Sequence, residues 1–367
     1  MLRSFGTRSF ASLAVALATT SLVGCSSDSS PSSEPTAASV VSAMHDSLLT
    51  DIKSLKAAAI ATQAAAPTPT DRGWDATMDQ AALDATKAAW KDARTAYEHI
   101  EGALAPIFPD IDFSIDARYD DFLAALSATD FPNGDTDLFD DKGVTGLHGA
   151  ERVLYADVIP EKVITFESTL DGYVPAAFPA TAAEANEFKT LLLNKIITDA
   201  NTLETQWTPA KIDLNGAFGG LISLMNEQRE KVNKASTGEE ESRYSQRTMT
   251  DIRDNLEGTK KIYAIFSTWI KTKTNAADPT LDGPTVDAAI EAGFDKLDAL
   301  YAQVDGEAIP TPPDTWSSES PSAADLETDF GKLYTGIQAA VAHDAPDSVV
   351  YNMNQAATIL GFAQFSE

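Results

Sequence analysis

An all-α fold is predicted by three features of the 367-residue sequence. Apolar residues, many of them alanine and leucine, recur three and four positions apart; β-branched runs are few; and Pro/Gly clusters punctuate the periodic stretches instead of interrupting them. The segment Leu214, Ala217, Phe218, Leu221, Ile222 and Met225 shows the pattern in full, one amphipathic face per helix. A hydrophobic fraction of 43% is enough for real cores and excludes a disordered acidic chain.

The N-terminal segment, residues 1–24, stands outside that fold. Arg3 and Arg8 precede the apolar run Phe10–Ala18, which leads to Leu22-Val23-Gly24-Cys25, the form of a secretory signal. The last four residues resemble the lipobox of bacterial lipoproteins, and Cys25, the only cysteine, is the expected lipidation site. Residues 25–37, rich in Ser and Pro, read as a tether. Ser26 is not the aspartate associated with inner-membrane retention, so a lipid anchor in the outer membrane facing the periplasm is expected.

Helices follow at about 36–65, 76–104, 114–128, 143–157, 180–205, 211–234, 245–272, 284–304 and 321–365, the last broken near Ala345-Pro346. Breakers lie at Pro67–Thr70, Phe108–Ile111, Phe131–Gly134, Pro175–Pro179, Asp278–Pro284 and Pro310–Pro313. That much helix exceeds one bundle, so two are expected: a first over 38–170 and a second over 171–367, divided between Ile159 and Ala185.

A net charge of −28 excludes nucleic-acid binding through a basic face. A single cysteine excludes disulfide frameworks and thiolate metal clusters, leaving oxygen and imidazole as the available ligands. The acidic loop Asp130–Asp141 lacks the spacing of a calcium loop and reads as a solvated linker.

The chemistry concentrates in three segments. In Val144–Val158, Glu151 falls near the middle of the apolar stripe and His148 at its edge, one turn away. An inward carboxylate is costly without a cation or several donors. Either a buried Arg or Lys meets Glu151 beside a satisfied core histidine, or the pair holds a metal, as Glu and His three apart do in helical bundles. In the second segment, around Trp90–Glu101, Glu101 lies at the stripe edge and can join such a cluster. Glu98, farther out, either joins it or makes a surface pair with Arg94. Asp116 is a helix cap or a further ligand. In the third segment, Glu241–Asp251, Ser245 reads as an N-cap, and Thr248, Asp251 and Asn255 share a polar face that can complete a site.

Gly146-Leu147-His148-Gly149-Ala150-Glu151 resembles the G-x-H-x-x-E signature of imelysin-like proteins, a family classed with peptidases and related to the EfeO/EfeM periplasmic iron-uptake components. Arg94-x-x-Tyr97-Glu98-x-Ile100-Glu101, Asp116-Ala117-Arg118, Arg243-x-Ser245-x-x-Thr248-x-x-Asp251 and Thr358–Phe362 extend the resemblance in order along the chain. It implies a duplicated four-helix-bundle fold with His148 and Glu151 at a metal site. Glu101, Glu98 and Asp116 are further candidate ligands, and Arg243, Ser245, Thr248 and Asp251 supporting or anion-binding groups.

The expectation is therefore an envelope lipoprotein that binds a divalent ion for uptake and hands it to a partner protein. Oxygen-rich ligation with one imidazole favours iron and leaves zinc open. The alternatives are a metallopeptidase, although one histidine and one glutamate fall short of the two-histidine zinc helix, and a structural or receptor-like lipoprotein without metal.

Overall fold

A computed structural model describes residues 34–365. The expectations for the signal segment, the lipidation of Cys25 and most of the tether lie outside the described residues. The rest is helical: α1 (Ala37–Ala65), α2 (Gln80–Glu98), α3 (Glu101–Leu104), α4 (Pro109–Asp116), α5 (Tyr119–Ala125), α6 (Gly146–Leu154) and α7 (Glu161–Glu167). After them come α8 (Ala182–Glu187), α9 (Leu193–Trp207), α10 (Leu214–Lys234), α11 (Thr248–Ile270), α12 (Gly283–Tyr301), α13 (Ala323–Leu326), α14 (Asp329–Val341) and α15 (Val349–Leu360). Among the described residues the only β pairing is an isolated bridge, Pro132 with Gly134.

Most elements lie where the periodicity placed them. Thr36 caps α1 by accepting from the Ser39 amide, and α15 ends at Gly361 in the left-handed conformation. One proline was misread: Pro109 is not a breaker but the first residue of α4. Pro160 stands at the N-cap position of α7, where a missing N–H costs nothing. The long helix expected over 76–104 stops at His99 and restarts at Glu101.

One hydrophobic cluster runs from Val40 to Ala357, through Trp90, Leu147, Phe188, Trp207, Phe218 and Phe294. It includes residues on both sides of the expected divide between Ile159 and Ala185. The backbones of α3 and α10 touch, since a Cβ on Gly220 would lie 1.9 Å from the Gly102 carbonyl oxygen. That crossing leaves Glu101 within 3.5 Å of the Lys231 ammonium.

The start of α6 is equally tight. Gly146 has φ +72°, and a Cβ there would sit 2.5 Å from the Ile115 carbonyl oxygen and 2.7 Å from that of Ser114. The glycine of the G-x-H-x-x-E signature thus lets α6 abut the end of α4, which brings His148 beside Asp116. Gly146→Ala combines left-handed strain with a backbone clash and is expected to lower stability by about 2–3 kcal/mol. Equilibrium urea unfolding checks this; a loss below about 0.5 kcal/mol would contradict the close approach.

Candidate metal centre

Five chain segments converge on one buried polar cluster. The α2 helix supplies Arg94 and Glu98, α3 supplies Glu101, and the end of α4 supplies Asp116. The α6 helix supplies His148 and Glu151, and the connection between α10 and α11 supplies Glu241. The Trp90 indole N–H donates to the Leu147 carbonyl at 2.9 Å and so holds α2 against α6.

His148 and Glu151 are both buried. The imidazole Nδ1 lies 2.9 Å from Glu151 Oε2, while Oε1 of the same carboxylate accepts the backbone N–H groups of Tyr244 (3.2 Å) and Ser245 (2.8 Å). Burial pushes the Glu151 carboxyl up to about 8, against the pull of the Ser245 donor. Burial, and after it the Arg94 charge, keeps His148 neutral. Once Glu151 is ionised, the ring proton sits on Nδ1 facing it and the Nε2 lone pair is left over. It has no hydrogen-bond partner and points to Asp116, whose Oδ1 is 3.6 Å away.

Around that lone pair the oxygens crowd. Ligand atoms of Asp116, His148 and Glu241 lie within 4.8 Å of one another, as do those of Glu98, Glu101 and Glu241. Four carboxylates, Glu98, Glu101, Asp116 and Glu241, face two cations. Arg94 pairs with Glu98, with Asp116 and, at 2.6 Å, with Glu241. Lys231 pairs with Glu241 at 2.7 Å and with Glu101 at 3.5 Å. The Asn255 amide donates to Glu98 and, at 2.8 Å, to Glu101.

Burial raises Glu98 and Asp116 well above the carboxylate range, and Arg94 only partly offsets it. Glu241 goes the other way: burial opposes its ionisation, but Lys231 and Arg94 hold it far below the usual range. A cleft of about 470 Å³, lined by Glu101, Asp116, Arg118, Lys231 and Glu241 among others, leads to the cluster. Neutral imidazole nitrogen beside excess carboxylate oxygen is a donor set for a divalent cation.

The Imelysin family (Peptidase_M75) matches residues 41–330. The chain belongs to the imelysin family. It is homologous to iron uptake system component EfeM of Pseudomonas syringae pv. syringae (strain B728a), 26% identical over 255 residues, covering 67% of this chain and 72% of that protein. To iron uptake system component EfeO of Escherichia coli (strain K12) it is 27% identical over 221 residues, 60% of this chain but only 45% of that one. The chain therefore matches less than half the length of EfeO. The solved "putative iron-regulated protein A precursor" of Parabacteroides distasonis ATCC 8503 shares the fold, with a TM-score of 0.50 at 14% identity over 90% of this chain and 97% of that one.

In this imelysin-family chain Glu98, Glu101, Asp116 and His148 come together around Glu241, and Glu151 touches the far side of the imidazole. Thr248 and Asp251 hold the Glu241 segment: the Ser242 amide donates to Thr248 Oγ1 at 3.1 Å and the Ser242 hydroxyl donates to Asp251. Three alternatives fail. Arg94 and Glu98 are not a surface pair, since both side chains are fully buried. Asp116 is not a cap but the last residue of α4, paired with Arg94. Ser245 caps nothing, because α11 begins at Thr248 and Ser245 instead gives its N–H to Glu151. Glu241 and Lys231 were missed as members of the cluster. Glu241 opens the third segment of the sequence reading but is given no ligand role there, and Lys231 is not singled out.

Among the described residues no helix is long and apolar enough to cross a membrane.

Proposed function

We propose that this chain is a lipid-anchored envelope protein, held at Cys25 in the outer membrane and facing the periplasm. In this reading it takes a divalent metal ion, iron foremost, as cargo for an uptake partner. His148, Asp116 and Glu241 would hold the ion, with Glu98 and Glu101 as further oxygen donors and Glu151 fixing the imidazole. The observation that carries the reading is the orphaned Nε2 of a neutral, buried His148 among more carboxylates than cations. Its homologues EfeM and EfeO are iron uptake system components, which agrees with it. Oxygen-rich ligation with one imidazole suits iron or manganese before zinc.

Metal-dependent peptide hydrolysis needs a free carboxylate base beside a metal-bound water. Glu151, the glutamate nearest His148 in the signature, has both oxygens engaged. The test is calorimetric titration of the purified protein with Fe(II) under anaerobic conditions, and with Mn(II) and Zn(II), backed by elemental analysis. Saturable binding is expected, weakened at least tenfold in His148→Ala and in Glu241→Gln, with unchanged circular dichroism. A protein that binds none of these ions would sink the reading, and His148-dependent cleavage of peptides would replace it with the hydrolytic one.

A further inference from the structure

Glu241 belongs to two groups at once. Its carboxylate lies within 4.8 Å of the ligand atoms of Asp116 and His148, and also within 4.8 Å of those of Glu98 and Glu101. The second group already meets a cation. The Lys231 ammonium is 2.7 Å from Glu241 Oε2 and 3.5 Å from Glu101 Oε2, and it donates to the Asn255 side-chain carbonyl at 2.9 Å. An ion on His148, Asp116 and Glu241 would therefore share one carboxylate with an ammonium, and two like charges on one carboxylate repel strongly where water is excluded.

Of the two cations paired with Glu241, only Lys231 is placed to move. Arg94 is fully buried and tied to Glu98, Asp116 and Glu241 together. Lys231, on α10, lines the cleft of about 470 Å³, and so do Glu241 and Glu227. Glu227 stands one turn earlier on the same helix, at the i, i+4 spacing over which a lysine reaches a glutamate. Its Oε1 accepts the Ser223 hydroxyl at 2.8 Å. The flexible lysine stem thus has a carboxylate at either end of a swing: Glu241, beyond the end of α10, and Glu227 on α10 itself.

We infer that Lys231 is a tethered stand-in for the cargo ion: its ammonium holds the Glu241 carboxylate in the metal-free protein, gives way into the cleft toward Glu227 when the ion arrives, and returns as the ion leaves. The buried carboxylate then always has a cation, and the strongly unfavourable state in which it has lost its partner is avoided. The same charge limits how tightly the ion is held, as release to a partner requires. Lys231 sets the affinity without being a ligand. This role rests on the proposed metal site and fails separately from it.

The experiment compares Mn(II) titrations of the purified parent and of Lys231→Met, which keeps the stem and removes the charge. The variant is expected to bind Mn(II) at least tenfold more tightly and to release it more slowly into excess chelator, whereas a lysine that only held α10 in place would on removal leave affinity unchanged or lower it. Labelling of the unsubstituted protein with acetic anhydride, read by mass spectrometry, follows the ammonium itself. Acetylation of Lys231 is expected to rise at least threefold on Mn(II) loading, relative to the exposed Lys332. Unchanged or weaker binding by a natively folded Lys231→Met, or equal labelling of the free and the loaded parent, would overturn the role of Lys231 while leaving the metal site standing. No Mn(II) binding by either protein would remove both. The labelling uses the parent, so it decides the question even where Lys231→Met does not fold.

Discussion

Replacing Arg94 with methionine is expected to lower the folding free energy of the metal-free protein by about 3–5 kcal/mol, as removal of one partner from a buried ion pair does. The guanidinium is fully buried and is the shared counter-charge of Glu98, Asp116 and Glu241, with Asp251 at 3.8 Å. Methionine keeps the volume and the apolar stem contacts, so the loss reports charge rather than packing. Lys231 still covers Glu241, but its ion pairs are with Glu101 and Glu241 and leave Glu98 and Asp116 without a partner cation. If the cluster binds divalent cations, the variant should regain much of what it lost when metal is added, since saturation at about 100 times the dissociation constant stabilises by about 2.7 kcal/mol. Urea unfolding with chelator and with Mn(II) measures both effects. A loss below about 1 kcal/mol in chelator would mean that Glu98 and Asp116, whose carboxyls burial raises, keep their protons, that Lys231 suffices for Glu241, and that Arg94 is not the anchor of the cluster.

Periodicity made α6 legible, and with it the inward Glu151 and His148, because a carboxylate in the middle of an apolar stripe is anomalous wherever it occurs. The same reasoning failed for Arg94 and Glu98. Arg94 follows Trp90 by four positions and precedes Tyr97 by three, beside the apolar stripe of α2, and Glu98 lies farther out. Both are fully buried because what covers them is a second polar surface rather than the hydrophobic core. Such burial depends on which segments meet, and no local pattern encodes it. Glu241 is the extreme case: it sits in a connection without periodicity, and its role follows from Lys231 and Arg94, 10 and 147 positions away. Pro109 was misread for a different reason, since a proline that opens a helix and one that ends it look alike until the cap residue is known.

Glu151→Gln is expected to weaken cation binding about 10–100-fold while costing little stability, because it changes the tautomer of His148 without removing a contact. The glutamine carbonyl can still accept from the Tyr244 and Ser245 amides. Its NH2, however, faces His148 Nδ1 and makes that nitrogen an acceptor, which moves the ring proton to Nε2 and blocks the lone pair turned toward Asp116. Proton uptake by Glu151 does the same in the parent. Its carboxyl is raised from 4.5 to about 8 in the folded state. The stability contributed by the protonated form is complete below pH 4.5 and is lost as pH climbs through about 8. The metal-free protein should therefore weaken from pH 5 to pH 8.5 while its cation affinity climbs by up to about tenfold per pH unit for the proton released. In Glu151→Gln that proton is absent, so the pH slope of affinity should fall by one, leaving the contributions of Glu98 and Asp116, whose carboxyls burial also raises. Calorimetric titrations at pH 6, 7 and 8 on both proteins separate the cases. Parallel slopes in parent and variant would show that the proton controlling the site is not the one shared between Glu151 and His148, and would move the switch to the carboxylates beside Arg94.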